Sequence, residues 1–161
     1  EQLFRDTLLQ EANGLSVQMK KYHPLSAFIS SIGHLDNDQK TGIWLYFKPS
    51  GLLASVEDQN GSSSGEIDWT EETNYQYYFY SLVNIIGGLY KIPVAKARPG
   101  SEIESLLGNR SRISLFEYVQ QLFGLKFPPC VIQTLDDLTV LLQDLSIQKY
   151  RKRGFKNLLR T

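Results

Sequence analysis

A periodic run of large apolar side chains between residues 75 and 89 constrains this fold more than any other feature. Apolar residues recur there at steps of three and four, the spacing of one helical face: Tyr75, Tyr78, Phe79, Leu82, Ile85, Ile86 and Leu89. A β-strand would instead place Phe79 and Leu82 on opposite faces. We therefore predict a long helix over 69–89. Its aromatic stripe should lie in the core and not form a platform for stacked bases or sugars.

Four further residues of this run sit beside or at the end of the stripe. The rings of Tyr77 and Tyr80 fall at its flanks, where we expect their hydroxyls to remain in water. Gly87 and Gly88 each cost about 1 kcal/mol against alanine inside a helix. Close backbone packing or the end of the helix should offset that cost.

The strongest strand signal lies between residues 43 and 57. Residues 43–47 are rich in β-branched and aromatic side chains, 49–51 can form a turn, and 52–56 run back. We predict one antiparallel hairpin over about 43–57. Its apolar face must pack on helices, because a two-stranded hairpin alone is marginal in water.

The segments before the hairpin have weaker patterns. Residues 1–14 have the spacing, and the Asn-Gly end, of a short helix. Residues 15–22 fit a strand or a helix. Residues 24–33 begin with proline, which suits the first position of a helix, so we expect a second helix there. The polar segment 34–42 is expected to be a loop.

Short helices with recognisable ends are predicted in the rest of the chain. Their starts follow the capping-box pattern, a serine, threonine or aspartate followed three residues later by an acid. Such pairs are Asp68 with Glu71, Ser101 with Glu104, Ser114 with Glu117, and Thr134 with Asp137. The first pair would open the long central helix. Gly108 and Gly124 are expected to end the helices that begin at the second and third pairs.

We therefore predict an α+β fold, mostly helical, in a single domain over residues 1–161. It would contain one antiparallel β-hairpin (about 43–57) and a C-terminal run of short capped helices. A chain of 161 residues with 42% hydrophobic content can form a core without metal or disulfide. The single cysteine, Cys130, suits a reducing compartment, so we expect an intracellular protein of the cytoplasm or nucleus. Because Glu1 stands where a methionine would begin a chain, we expect a processed form or a fragment of a larger protein.

Charge is distributed unevenly although the net charge is zero. Residues 1–74 carry 11 acidic and 5 basic side chains, whereas residues 75–161 carry 6 acidic and 12 basic ones. Many of the cations cluster near the C-terminus, beside aromatic residues: Lys149, Arg151, Lys152, Arg153 and Lys156. Such a segment is typical of an arm that contacts phosphates or an acidic partner. It also suits a helix end, where cations complement the helix dipole.

Residues 101–123 fit the outline of a helix-turn-helix, with Gly108 in the turn. Arg110 and Arg112 follow that glycine and could meet phosphates. Glu104 argues against this motif, because close packing of the two helices usually requires a small side chain at its position. Two short helices joined through a glycine fit such a pattern easily, so it stays an alternative.

Residues suited to catalysis are few. His34, Asp36 and Asp38 form an H-x-D-x-D motif in a polar segment, which offers fewer ligands than a typical cation site. Cys130 follows two prolines and precedes apolar residues, so we expect it to be buried. No P-loop, dinucleotide, nucleophile-elbow or paired-cysteine motif is present. We expect no metal, cofactor or catalytic residue. An enzyme built around His23, His34 or Cys130 is the less favoured alternative.

These features favour a non-catalytic interaction or adaptor module with a protein partner, acting as a subunit or domain of a larger assembly. The alternative is a DNA- or RNA-binding regulator that uses residues 101–123 and the basic C-terminal end. The candidate contact residues are the same for both: Arg110, Arg112, Lys149, Arg151, Lys152, Arg153 and Lys156. No apolar run approaches the roughly 20 residues of a membrane span, so we expect no membrane partner.

Overall fold

The structure, a computed structural model, describes residues 16–58 and 75–159, with the side chains of 18–58 and 75–152. The first range forms an antiparallel sheet in the order β1-β2-β3-β4: β1 (Ser16–Tyr22), β2 (Ile29–Asp36), β3 (Gln39–Phe47) and β4 (Leu53–Asp58). The second range forms α1 (Tyr75–Tyr90), α2 (Ile103–Leu107), α3 (Arg112–Phe123) and α4 (Leu135–Leu159), with a 3-10 turn at Val94–Lys96. The helix predicted over 1–14 and the capping box predicted at Asp68 lie outside the described residues.

The prediction of a mostly helical fold with a single hairpin is wrong. The chain is α+β, and the hairpin predicted over 43–57 is present as β3 and β4. However, β1 and β2 precede it, and each strand pairs antiparallel with the next along the chain. The sheet is thus a four-stranded meander.

The strand β2 occupies the second half of the segment 24–33, for which the sequence predicts a helix. Pro24 and Leu25 form a turn instead of a helix start, and Leu25 adopts φ 60°. Most of β2 is buried on both faces, so its side chains show no regular alternation of exposure. A strand of this kind cannot be distinguished from a buried helix by periodicity alone.

The polar segment 34–42 is also not a loop. It contains the end of β2, a two-residue turn and the start of β3, and Asp36 pairs with Gln39 across the turn. Asn37 and Asp38 have φ values of 50° and 63°, as a type I′ hairpin turn requires. Asparagine and aspartate tolerate positive φ better than most residues. This pair was therefore a hairpin signal within the polar run.

Two glycines allow aromatic rings to lie directly against the backbone. A Cβ on Gly33 would lie 2.2 Å from the ring of Trp44, which is only 2% exposed. A Cβ on Gly88 would lie 2.4 Å from the ring of Phe28 and 3.1 Å from the carbonyl oxygen of Ala27. Of the two explanations predicted for Gly88, close packing and the end of the helix, the structure shows close packing. This packing brings α1 against the connection between β1 and β2.

The helix α1 is buried around its circumference. It packs against β4 on one side and against α4 on another, and every residue of 77–86 is buried. The prediction that Tyr77 and Tyr80 lie at wet flanks is wrong, since they are 9% and 0% exposed. The Tyr77 ring meets the Phe123 ring of α3 edge-on at 6.4 Å. Leu89, assigned to the buried stripe by periodicity, is instead 40% exposed.

Two polar side chains of α1 bind the backbone of the sheet. The Oδ1 of Asn84 accepts a hydrogen bond from the backbone N–H of Ile29 at 2.9 Å. Its Nδ2 donates to the carbonyl oxygens of Ile29 at 3.2 Å and Gly51 at 3.3 Å. The hydroxyl of Ser81 accepts from the backbone N–H of Leu53 at 2.9 Å. These bonds position α1 on the sheet.

The capping box predicted at the start of α4 is present. The Asp137 N–H donates to the Thr134 hydroxyl at 3.1 Å, and the Thr134 N–H donates to the Asp137 carboxylate at 3.0 Å. The same carboxylate accepts from the N–H of Gln133 at 3.1 Å. Three donors near this helix end are thus satisfied locally.

The other two predicted helix starts are wrong by a few residues. Ser111, not Ser114, caps α3, and its hydroxyl accepts from the N–H of Ile113 at 3.1 Å. Glu102 precedes α2 without a side-chain cap. The predicted helix ends are confirmed, because Gly108 and Gly124 follow α2 and α3 with positive φ.

We expect the capping box to make stability depend on pH. Its backbone N–H donors, those of Thr134 and Gln133, hold the pKa of the Asp137 carboxyl below its usual range. A carboxylate with a lowered pKa stabilises the fold above its unfolded pKa and loses that effect as the pH falls through the folded pKa. Asp137→Asn should therefore be destabilising at pH 7 and nearly neutral once the pH is below the lowered pKa of the folded state. Thr134→Ala should cost about 1 kcal/mol.

Chemical denaturation across this pH range measures both effects. Asp144→Asn is the matched control, because Asp144 is an exposed acid further along α4. It should change stability little at any pH. Losses for Asp137→Asn that stay equal from pH 7 down to the most acidic pH at which the chain remains folded would contradict a role for the ionised carboxylate.

Candidate interaction surface

Arg110 is bonded to the ends of two helices. Its Nε donates to the carbonyl oxygen of Leu107 at 2.9 Å, and its Nη1 donates to the carbonyl oxygen of Tyr90. The guanidinium carbon lies 5.5 Å from the centroid of the Tyr90 ring. The Tyr90 hydroxyl donates to the carbonyl oxygen of Ser111 at 2.8 Å, and burial raises the pKa of that phenol. Arg110 therefore joins the α2–α3 turn to the end of α1.

Lys149 has a similar structural role at the other end of α3. Its ammonium group donates to the carbonyl oxygens of Phe123 at 3.2 Å and Gly124 at 3.1 Å. A cation at a helix C-terminus interacts favourably with the helix dipole and with the last carbonyl groups. Lys149 thus fastens α4 to the end of α3.

The remaining cations of the basic end lie further along α4. Arg151 and Lys152 are exposed. Arg153 and Lys156 belong to the helix, but their side chains lie outside the described residues. The turn arginines are at the start of α3 and Lys149 is at its end. These positions are separated by roughly 17 Å over 12 residues, so Arg110 and Arg112 do not form one patch with Lys149.

Two grooves meet at the ion pair of Arg112 with Glu104, whose nitrogen and oxygen atoms are 3.5 Å apart. One groove, of about 430 Å³, lies between this pair and the connector 125–134 and reaches Phe116. The other, of about 370 Å³, extends along the α2–α3 turn to Ile113. Because the same ion pair lines both grooves, they form one continuous surface.

We name this surface the α2–α3 face, and it comprises Glu102, Glu104, Arg112, Ile113, Phe116 and residues 130–133. Two large apolar side chains project from it. Val131 is 80% exposed and borders the first groove, while Ile113 is 63% exposed and borders the second. Apolar side chains grouped around grooves and surrounded by polar residues are typical of interaction sites.

Comparison of the chain with protein-family models, curated proteins and solved structures finds no match. Among the helices of 75–159, none has the length and apolar character needed to cross a bilayer. The geometry of the α2–α3 face is therefore the basis for inferring a function.

Cys130 belongs to this face and is exposed, so the prediction of a buried thiol is wrong. The connector runs over the surface after its two prolines, and Ile132 supplies its buried side chain. His23 is bonded through Nε2 to the carbonyl oxygen of Phe47 at 2.7 Å, and His34 is buried in β2. Within 16–58 and 75–159, no three histidine, cysteine or acidic side chains are grouped so as to hold a metal ion.

The contact residues predicted from the sequence were all arginines and lysines, and neither Val131 nor Ile113 was among them. Val131 lies in the irregular connector, where no periodicity allows burial to be inferred, and Ile113 lies in the first turn of α3. One signal was available, because Pro128 and Pro129 lack a backbone N–H and disfavour a regular helix or sheet in the segment that they begin.

A second polar cluster, on the sheet, is internally satisfied. The Lys40 ammonium donates to the Tyr46 hydroxyl at 2.8 Å, which raises the pKa of Lys40. That hydroxyl donates to the carboxylate of Glu57 at 3.2 Å. The ammonium also lies 4.9 Å from the ring centroid of Trp44. Each polar group of this cluster already has a partner, so we assign it a structural role.

Proposed function

We propose that this protein is a non-catalytic interaction module that binds a protein partner through the α2–α3 face. The observation that carries the proposal is the exposure of Val131 and Ile113 beside two contiguous grooves. Burying apolar surface contributes about 25 cal/mol per Å², so two such side chains provide a driving force for association. A protein of this kind would serve as a subunit or an adaptor in a larger assembly.

The charges of the face indicate what the partner should carry. Glu102 and Glu104 line the larger groove together with a single cation, Arg112. The ion pair engages Arg112 with Glu104, so Glu102 is left without a cationic partner among the described residues. A partner with apolar side chains and a lysine or arginine would complement this surface.

DNA or RNA binding through residues 101–123 and the basic end is less well supported. Arg110 and Lys149 already bond backbone carbonyls, and Arg112 is paired with an acid. Nucleic-acid affinity comes largely from cations that are free to neutralise phosphates. Carboxylates beside the turn, such as that of Glu104, would repel phosphates.

We place this function in the cytoplasm or nucleus. The exposed thiol of Cys130 would be kept reduced there, whereas an oxidising compartment favours its conversion to a disulfide. Addition of a thiol oxidant to the purified chain should produce a disulfide-linked dimer, which would show that the Cys130 thiol is accessible to oxidation.

Site-specific photo-cross-linking tests the proposed face. A photoreactive amino acid is placed at Ser105, an exposed residue of α2 beside Glu104, and irradiated in native lysate. The matched control carries it at Ser55, an exposed residue of β4. We expect a discrete protein adduct from position 105 that is absent from position 55. Nuclease treatment should not change it.

Competition with unlabelled chain tests whether the adduct depends on the α2–α3 face. Excess unlabelled chain should abolish the adduct, while chain carrying both Val131→Asp and Ile113→Asp should compete at least tenfold less well, since each buried apolar side chain contributes about 1.5–3 kcal/mol. Equal competition by this double variant would overturn the proposal. Loss of the adduct with nuclease would favour nucleic-acid binding instead.

A further inference from the structure

The connector makes a β-bridge with the start of α2. Thr134 and Glu102 form an isolated antiparallel bridge. The N–H of Ile103 donates to the carbonyl oxygen of Gln133 at 2.8 Å, and the N–H of Leu135 donates to that of Ser101 at 2.9 Å. The connector thus begins the hydrogen-bonding pattern of an antiparallel ladder.

The residues that follow Glu102 do not continue this ladder. The helix α2 begins at Ile103, so within the described residues no strand pairs with the connector upstream of Gln133. Within the described residues, the backbone groups of Cys130 and Val131 make no hydrogen bond to the protein. They border the larger groove directly. Backbone groups left unpaired next to a ladder are a template for strand addition.

We propose that the larger groove binds an extended peptide segment of a partner protein by β-strand addition to residues 130–132. This inference rests on the proposed function and specifies the binding mode. Backbone groups two residues apart on a strand point to the same side. Gln133 accepts a hydrogen bond from Ile103 on the side that faces the groove. If residues 131–133 continue as a strand, the N–H and carbonyl of Val131 point to that same side.

The side chains around the groove define the peptide. Val131 and Phe116 offer apolar surface, and Glu102 offers a carboxylate that has no cationic partner in 16–58 or 75–152. Side chains of an added strand point alternately to its two faces. The bound segment should thus alternate apolar residues with others, among them a lysine or arginine placed to meet Glu102. Backbone pairing would supply affinity, and these two contacts would supply specificity.

A phage-displayed library of random twelve-residue peptides provides a probe that does not depend on the natural partner. Selection on the wild-type chain should enrich alternating apolar sequences with at least one basic residue. Binding of the enriched peptide is then measured by fluorescence anisotropy for wild type, Val131→Ala and Val131→Pro. Alanine keeps the N–H and shortens the side chain, whereas proline removes the N–H.

The two variants separate backbone pairing from side-chain contact. We expect Val131→Pro to bind at least about tenfold more weakly than Val131→Ala, because it loses a ladder hydrogen bond and disturbs the next one. Thermal denaturation verifies that both variants fold. Amide hydrogen exchange of the wild-type chain tests backbone pairing without any substitution. The amides of Cys130 and Val131 should exchange rapidly in the free protein and become protected by the peptide.

Each alternative outcome contradicts the inference in a recognisable way. Equal binding by the two variants, or no amide protection, would show that the peptide binds through side chains alone. Failure to enrich any peptide that depends on Val131 would overturn strand addition. The proposed function would still stand if the Ser105 adduct forms. Dimerisation of the free chain, lost in Val131→Pro, would assign the groove to a second copy.

Discussion

Replacing Asn84 by alanine is expected to lower the free energy of unfolding by about 3 kcal/mol or more. The Asn84 side chain is 2% exposed and supplies hydrogen-bond partners for the N–H and carbonyl of Ile29 and for the carbonyl of Gly51. Alanine would leave these groups unsatisfied in a site from which water is excluded. Each buried polar group that loses its partner costs about 1–3 kcal/mol.

Ser81→Ala is the matched control for this substitution. Ser81 is also buried in α1, but it supplies a partner for one sheet group, the N–H of Leu53. We expect it to cost about 1–3 kcal/mol, less than Asn84→Ala. Urea denaturation gives both values, and an unchanged m-value would show that the folded state is preserved. If Asn84→Ala costs no more than Ser81→Ala, the three bonds of Asn84 do not hold α1 on the sheet.

The sequence predicted α1 well because periodicity reports a core-facing helix directly. It did not predict that the residues beside the stripe, Tyr77 and Tyr80, are also buried. A helical stripe assumes one buried face, whereas α1 is enclosed by the sheet on one side and by α3 and α4 on others. Tyr80 is therefore buried although it lies beside the stripe. Enclosure of this kind depends on contacts between distant segments, which a single stretch of sequence does not report.

The missed strand, β2, has a related physical cause. The strand β2 is buried on both faces over most of its length, and such strands lose the alternation that identifies a half-exposed strand. Its pairing with β3 also depends on the Asn37-Asp38 turn, whose polarity favoured a loop. The hairpin of β3 and β4 was found because residues 43–47 carry β-branched and aromatic side chains.

The candidate site was predicted only in part. Arg112 was identified and does line the α2–α3 face, but the residues that carry the proposal, Val131 and Ile113, were not. Charge counts indicate where cations are abundant, but not whether each is free. Arg110 and Lys149 bond carbonyl groups at helix ends, and those partners come together only in the folded chain.

Tyr80→Ala is expected to destabilise the fold as strongly as Phe79→Ala, by about 3–5 kcal/mol each. Both side chains are almost fully buried, with exposures of 0% and 1%. Truncating a large buried ring removes its transfer free energy and leaves a cavity that the surrounding core fills only partly. Leu82→Ala, on the same helix, should cost about 2–5 kcal/mol for the same reason.

The matched control is Leu89→Ala, near the end of the same helix. Leu89 is 40% exposed although the periodicity assigns it to the stripe, so its truncation should cost below about 1 kcal/mol. Chemical denaturation of these variants tests two descriptions of α1. If α1 is enclosed, Tyr80→Ala will resemble Phe79→Ala. If Tyr80→Ala instead resembles Leu89→Ala, the Tyr80 ring lies at a wet flank, as the helical period alone predicts, and that side of α1 is not covered.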